Sequence, residues 1–228
     1  MEQNGRNQEL VRHIARIGMV RWSEEPVTFV SGTKSHVYVS GREELTSDPD
    51  ALWAIGKAIA HAAFMAMPSS NLTERKKLML IGIPETGKPL SVAAALAWRA
   101  VLGDIQIGSR TMRTKKKAHG RSENQRWVDG EPRDDEIYFT VDNVITDGKS
   151  KLKAIGRLRE DGYPVEGMTH IILIDRKQGG VERLAKRGYR VVTLLELPTI
   201  VESLVMRGTW PMERLERYRE ELAASHVA

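Results

Sequence analysis

An α/β fold, with a mostly parallel sheet flanked by helices, is predicted for this 228-residue chain by three observations. Short, nearly continuous apolar runs at 77–84, 169–176 and 189–197 have the pattern of strands buried on both faces. Helical periodicities separate them, the alternation that parallel strands need for their crossovers. Near the N-terminus an alternating stretch reads instead as a hairpin beside the main sheet.

Taken in order, residues 7–19, NQELVRHIARIGM, set Leu10, Val11, Ile14 and Ile17 on one helical face. PVTFVSGTKSHVYVSGR (26–42) alternates with period two around a turn at Gly32. A helix over 48–66 opens at Asp48-Pro49, and KLMLIGIP (77–84) is a buried strand. PLSVAAALAWRAVLG (89–103) is a helix with Pro89 in its first turn, where proline is tolerated. From there to about residue 135 the chain is charged and, with Gly108 and Gly120, reads as loop. A strand then ends at Asn143, and after a turn a helix starts near Gly148–Ser150, with the serine as its candidate cap. THIILIDR (169–176) and YRVVTLLEL (189–197) are strands separated by the helix GVERLAKRG, and MERLERYREELAAS closes the chain as an amphipathic helix. One domain over 1–228 is expected, with an N-terminal elaboration over 1–45, an α/β core over 46–206 and a C-terminal helix over 207–228.

Hydrophobic residues at 41% and charged residues at 29% are an ordinary soluble balance. No apolar run is long enough for a membrane-spanning helix, and MEQNGRNQEL has no signal core. Zero cysteines exclude disulfides and thiol chemistry, which fits the cytoplasm. The net charge of +5 is concentrated in RTMRTKKKAHGR (110–121), a run without a single acid. A glycine-flanked basic loop of this kind suits a polyphosphate substrate or RNA.

LMLIGIPETGKPLS (78–91) nearly spells a nucleotide-binding P-loop: Gly82, four residues, then Gly87-Lys88. The motif needs Ser or Thr next, to hold magnesium, and Pro89 stands there. A second candidate is FTVDNVITDGKS (139–150). Asp142 and Asn143 end a strand, and Thr146 to Ser150 lead into a helix whose free N–H groups attract phosphate. The plain alternative is an ordinary βα turn.

FTVDNVITDGKS resembles the phosphoribosyl-pyrophosphate signature of type I phosphoribosyltransferases: apolar strand, two acidic positions, two apolar residues, then a Thr/Gly/Ser-rich loop. From about residue 8 to 206 the chain is similar to orotate phosphoribosyltransferases. SGTKSHVYVSGR (31–42) is similar to the segment near the base, GIPETGKPLSVAAALA to the pyrophosphate loop and its helix, and MRTKKKAHG (112–120) to the catalytic loop. LIDRKQGGVERLAKRGYRVVTLLEL (173–197) resembles the C-terminal part, including an Asp-Arg pair whose arginine contacts orotate. Under this resemblance Gly82–Pro89 holds pyrophosphate, and the P-loop match is a decoy.

The resemblance implies a type I phosphoribosyltransferase fold and displacement of pyrophosphate by a ring nitrogen of orotate. Lys117, Arg113 and Asp142 are the implied catalytic residues. Glu85, Thr86, Gly87, Lys116, His119, Asn143, Thr146, Asp147, Gly148, Lys149 and Ser150 are implied to hold the sugar donor. Lys34, Tyr38, Thr146 and Arg176 are implied to hold orotate. Magnesium, the implied cofactor, arrives on the donor with no direct protein ligand. The implied assembly is a homodimer whose 112–120 loop reaches the neighbouring site, with no membrane or nucleic-acid partner. Val30 and Thr114 stand where many members have lysine, Ala118 where they have an acid, and Asn143 where they have the second carboxylate. Two alternatives therefore remain: a transferase for another base, and a catalytically eroded binding protein that senses a nucleotide or the sugar donor.

Overall fold

The computed structural model describes residues 2–29, 32–41, 43–70, 76–102, 106–116 and 125–225. Its main sheet has five parallel strands in the order β4-β3-β5-β6-β7. These are β3 (Lys77–Gly82), β4 (Ile107–Thr111), β5 (Glu136–Ile145), β6 (Thr169–Asp175) and β7 (Arg190–Glu196). Ahead of them come helix α1 (Glu2–Arg16), the antiparallel pair β1 (Val20–Thr28) and β2 (Lys34–Val39), and the short helix α2 (Glu43–Ser47). The remaining helices are α3 (Pro49–Ala66), α4 (Gly87–Leu102), α5 (Lys149–Glu160), α6 (Gly180–Ala185), α7 (Leu197–Met206) and α8 (Met212–Ser225).

Successive strand residues point to opposite faces, and the core divides accordingly. Leu78 and Leu80 of β3 join Phe139 and Val141 of β5 in a cluster with Ile14, Ile55, Ile59, Leu90 and Leu197. Met79 and Ile81 face the other way, with Tyr138, Ile172, Ile155, Leu158 and Leu184. All seven residues of β6 are buried, as a central parallel strand requires. At the start of α3 the Asp48 carboxylate accepts the Ala51 N–H at 2.9 Å and Pro49 occupies the first turn, which sets the helix start where the sequence places it.

Four expectations are corrected. Residues 107–111 are not loop: they form β4, paired with β3 from Leu78↔Ile107 to Gly82↔Thr111. Glycine and arginine hide this strand in the sequence, and the open edge of β3 supplies the backbone partners that create it. β5 runs on to Ile145, past Asn143, because β6 continues alongside it. The cap of α5 is Gly148, with φ of 78° and no side-chain cap bond, rather than a serine. Lastly, α2 and α7 are absent from the sequence reading. Pro198 in the first turn marks the start of α7, which follows β7 without an intervening loop.

His170 gives the fold a pH dependence. It is 2% exposed, its Nδ1 bonds Thr140 Oγ1 at 2.8 Å, and its Nε2 has no partner. Burial lowers its pKa from 6.5 to about 4. The unfolded chain therefore takes up this proton from about pH 6.5 downward while the folded chain resists until about pH 4. Stability is lost as pH falls through that window, by about 3 kcal/mol at its acid end. Urea unfolding at pH 7 and pH 4 is expected to show that excess loss in the wild type and not in His170→Asn. Equal losses in the two proteins would refute the assignment.

Candidate functional site

The strand order reverses between β3 and β5. The chain leaves β3 toward β4 on one side, whereas β5 leads to β6 and β7 on the other. Connections after these two neighbours diverge, leaving a crevice at their carboxyl ends where open α/β sheets bind ligands. A cavity of about 520 Å³ lies there. Its walls come from the end of β1, from β2, from the turns after β3 and β5, from the first turns of α5, and from Arg176.

The turn after β3 is shaped by packing. A side chain on Gly87 would put its Cβ 2.2 Å from the Val141 carbonyl oxygen, and one on Gly82 would lie 2.6 Å from the Gly87 oxygen. Gly87 thus lets this turn lie flat on β5, and Gly82 lets the start of α4 close over the end of β3. Glu85 then joins two segments, accepting from Lys88 Nζ and from Thr114 Oγ1, each at 2.9 Å. Thr86 is buried at the cavity wall.

At the end of β5, Asp142 is 4% exposed and ion-paired with Lys151. One of its oxygens also accepts the Asn143 N–H at 2.7 Å. Burial pushes the Asp142 carboxyl up, and Lys151 pulls against it. Beyond lies the N-terminus of α5, with Thr146 and Ser150 on the cavity. Since Gly148 contributes no capping side chain, the positive end of this helix faces the cavity without a built-in oxygen from its cap. Asp147 turns back to Lys149, accepting its N–H at 3.1 Å and pairing with its ammonium at 3.1 Å. That arrangement neutralises an anion which would otherwise repel phosphate.

The opposite end of the cavity is aromatic and cationic. Phe29 and Tyr38 stack with centroids 6.4 Å apart. Over Phe29, at 4.2 Å from the ring centroid, lies the guanidinium of Arg176. This group is 2% exposed, donates one bond to the Val37 carbonyl at 3.0 Å, and has no partner for its Nε. Burial lowers its pKa to about 10, and it makes no ion pair among the described residues.

The basic segment leaves β4 as one limb of a narrow loop. Met112 bridges Val128, and the Arg113 N–H donates to the Trp127 carbonyl at 2.6 Å. Arg113 itself is ion-paired with Asp129. Lys116 pairs with Glu160 at 3.1 Å, and Arg157 lies 4.0 Å over the Trp127 ring. Lys117, Ala118 and His119 lie outside the described residues, as does Val30.

Of the sequence-predicted residues, Tyr38, Glu85, Thr86, Asp142, Asn143, Thr146, Ser150 and Arg176 line this one cavity. Gly87 and Gly148 shape its backbone, while Lys34 is exposed on β2. Arg113 and Lys116 are held by acidic partners instead, and Asp147 and Lys149 pair with each other. Sequence reasoning missed Phe29, Lys151, Lys153 and Arg157, all on the cavity wall. Helical spacing was the available signal for the last of these, since Ser150, Ala154 and Arg157 share a face once α5 starts at 149. No cluster of three His, Cys, Asp or Glu side chains that could hold a metal occurs among the described residues. The two cavity carboxylates, Asp142 and Glu85, are each occupied by a lysine.

Fold and cavity together define an α/β protein with an open helix N-terminus at one end of a crevice and, at the other, a buried cation with no ion pair among the described residues. No family model matches the chain. It is 30% identical over 204 residues to the orotate phosphoribosyltransferase of Aeropyrum pernix, covering 89% of this chain and 98% of that protein. The orotate phosphoribosyltransferase of Aquifex aeolicus is 27% identical over 179 residues, 78% of this chain and 89% of its own. Among solved structures, the Aeropyrum pernix enzyme superposes with a TM-score of 0.61 at 24% identity, covering 86% of this chain and 98% of that one. Leishmania donovani UMP synthase gives 0.74 at 18% identity; 95% of this chain is covered, and it spans 42% of that protein. The chain belongs to the orotate phosphoribosyltransferase family.

Proposed function

We propose that this protein transfers the 5-phosphoribosyl group of phosphoribosyl pyrophosphate to orotate, giving orotidine 5′-monophosphate and pyrophosphate. Arg176 is the observation that carries the reading: a buried cation without an ionic partner, set against an aromatic face in the cavity. Such a charge calls for a planar anion, and orotate is an aromatic carboxylate. The first turn of α5 receives the 5′-phosphate, with Thr146 and Ser150 as hydroxyl donors. Asp142 accepts hydrogen bonds from the ribose hydroxyls beside Asn143. The turn at Glu85–Thr86–Gly87 receives pyrophosphate at the start of α4.

Pyrophosphate leaves as the base nitrogen approaches C1, so negative charge builds on the leaving group. Fixed cations and N–H groups that meet this charge lower the barrier, provided water is kept from the sugar. Lys117 and Arg113 of the basic loop supply the cations and His119 a further hydrogen-bond donor, and Arg113 must first exchange Asp129 for the substrate. Magnesium bound to the donor supplies further charge neutralisation. The reading includes a homodimer whose 112–120 loop reaches the neighbouring site, and a cytoplasmic enzyme, since its sugar donor is a phosphorylated metabolite. Mixing Arg176 and Lys117 variants, each inactive alone, is expected to restore part of the activity if loops are exchanged between subunits.

Orotate consumption, followed by its ultraviolet absorbance with phosphoribosyl pyrophosphate and magnesium, tests the function. Loss of orotate with matching release of pyrophosphate is expected. Donor binding without orotate turnover would transfer the assignment to another base or to a binding protein, and the absence of both would end it.

A further inference from the structure

The first turn of α5 carries an unexpected charge. Lys151 is 7% exposed, its ammonium is ion-paired with Asp142, and both residues form the cavity wall. Burying two charges costs desolvation that their attraction only partly returns, and an apolar pair of similar size would fill a core more cheaply. A pair kept at the mouth of β5, in a cavity suited to a phosphorylated sugar, therefore points to use rather than packing.

The surrounding groups indicate that use. Asn143 is neutral where a second carboxylate could stand, so Asp142 is the only acid at this end of the cavity among the described residues. Glu85, the acid of the pyrophosphate turn, is offset by Lys88 at 2.9 Å. Lys153 and Arg157 add two further cations to the wall. The donor carries a phosphate and a pyrophosphate, and a bare carboxylate near its ribose would repel both unless a divalent ion intervened.

We infer that Lys151 is a charge-balancing and positioning residue: it holds Asp142 toward the ribose hydroxyls and cancels its charge, so the donor binds with little need of a divalent cation. This rests on the donor-binding reading above, and thereafter on the geometry of the pair. Lys151 acts through Asp142 and takes no part in bond making. The ammonium does locally, within the protein, what a metal on the donor does elsewhere.

Calorimetric titration of the full chain with phosphoribosyl pyrophosphate, once in chelator and once in magnesium, tests the inference. Wild-type Kd is expected to differ by less than about tenfold between the two conditions. In Lys151→Met the chelator Kd rises by about a hundredfold, the size of a lost charge-assisted contact, and magnesium recovers most of that loss. Lys151→Arg keeps the wild-type pattern, and thermal unfolding of each variant establishes that it is folded. Equal loss in both conditions would reduce Lys151 to a structural role and overturn the inference. So would a wild type that binds the donor only with magnesium. A wild type that binds in neither condition would instead overturn the donor-site reading itself, taking this inference with it.

Discussion

Arg176→Met is expected to lower kcat/KM for orotate by about a thousandfold while leaving donor affinity within about threefold. Truncating one side of a buried charge pair costs about 2–5 kcal/mol, and 4 kcal/mol corresponds to about three orders of magnitude. The guanidinium meets the conditions for the upper part of that range. It is sealed from water, stacked over Phe29 and tied to the protein by a single carbonyl bond. Its Nε has no partner among the described residues, so substrate has a donor waiting for it. Arg176→Lys recovers little, because an ammonium lacks the planar fork that meets a carboxylate with two N–H groups. Removing an uncompensated buried charge also relieves the folded state, so the methionine variant is expected to unfold no earlier than the wild type. Steady-state kinetics with orotate varied, beside donor calorimetry, separates the two effects. An unchanged KM for orotate would remove Arg176 from the base site.

Glu136→Ala is expected to destabilise the protein by about 3–5 kcal/mol, measured by urea unfolding, because it strands a buried guanidinium. The Glu136 carboxylate accepts from Arg110 and from the Tyr138 hydroxyl, each at 2.6 Å. Arg110 in turn donates to the Glu131 carbonyl at 2.6 Å and to the Tyr163 hydroxyl at 2.9 Å, while Tyr163 donates to the Gly130 carbonyl at 3.0 Å. This network fastens the segment before β5 to β4, and with it one limb of the basic loop. Arg110→Met combined with Glu136→Leu is expected to regain most of the loss, since neither charge is then left unpaired. A loss below about 1 kcal/mol for the single variant would show that the pair is not energetically buried.

The P-loop imitation shows how far letters alone carry. Pro89 argued against magnesium binding and allowed a helix start, and both arguments are local. Only the structure shows why Gly87 is there, since the group it avoids, the Val141 carbonyl, belongs to a distant strand. β4 illustrates the same limit. Ile107 to Thr111 has neither the alternation nor the apolar content of a strand, and its Arg110 is buried only because Glu136 and Tyr163 surround it. Nothing local in the sequence marks Lys151 as buried; β5 brings Asp142 beside it from a different segment.

Arg176 was singled out by the resemblance of LIDRKQGGVERLAKRGYRVVTLLEL to orotate phosphoribosyltransferases, and the structure sets it on the cavity wall directly after β6. Phe29 was not, because its ring meets Arg176 through the hairpin's packing and no local spacing relates the two. Likewise the run of loop cations suggested a free basic strip, whereas Arg113 and Lys116 are matched to Asp129 and Glu160 from other segments. By itself the sequence determined the parallel sheet, the start of α3 and the turn before α5. These follow from periodicity, capping and backbone freedom, which act over a few neighbouring residues. The tertiary structure alone decided which charges are cancelled and which, like that of Arg176, have no ion-pair partner among the described residues, because the energy of a charge depends on burial and on partners brought from elsewhere in the chain.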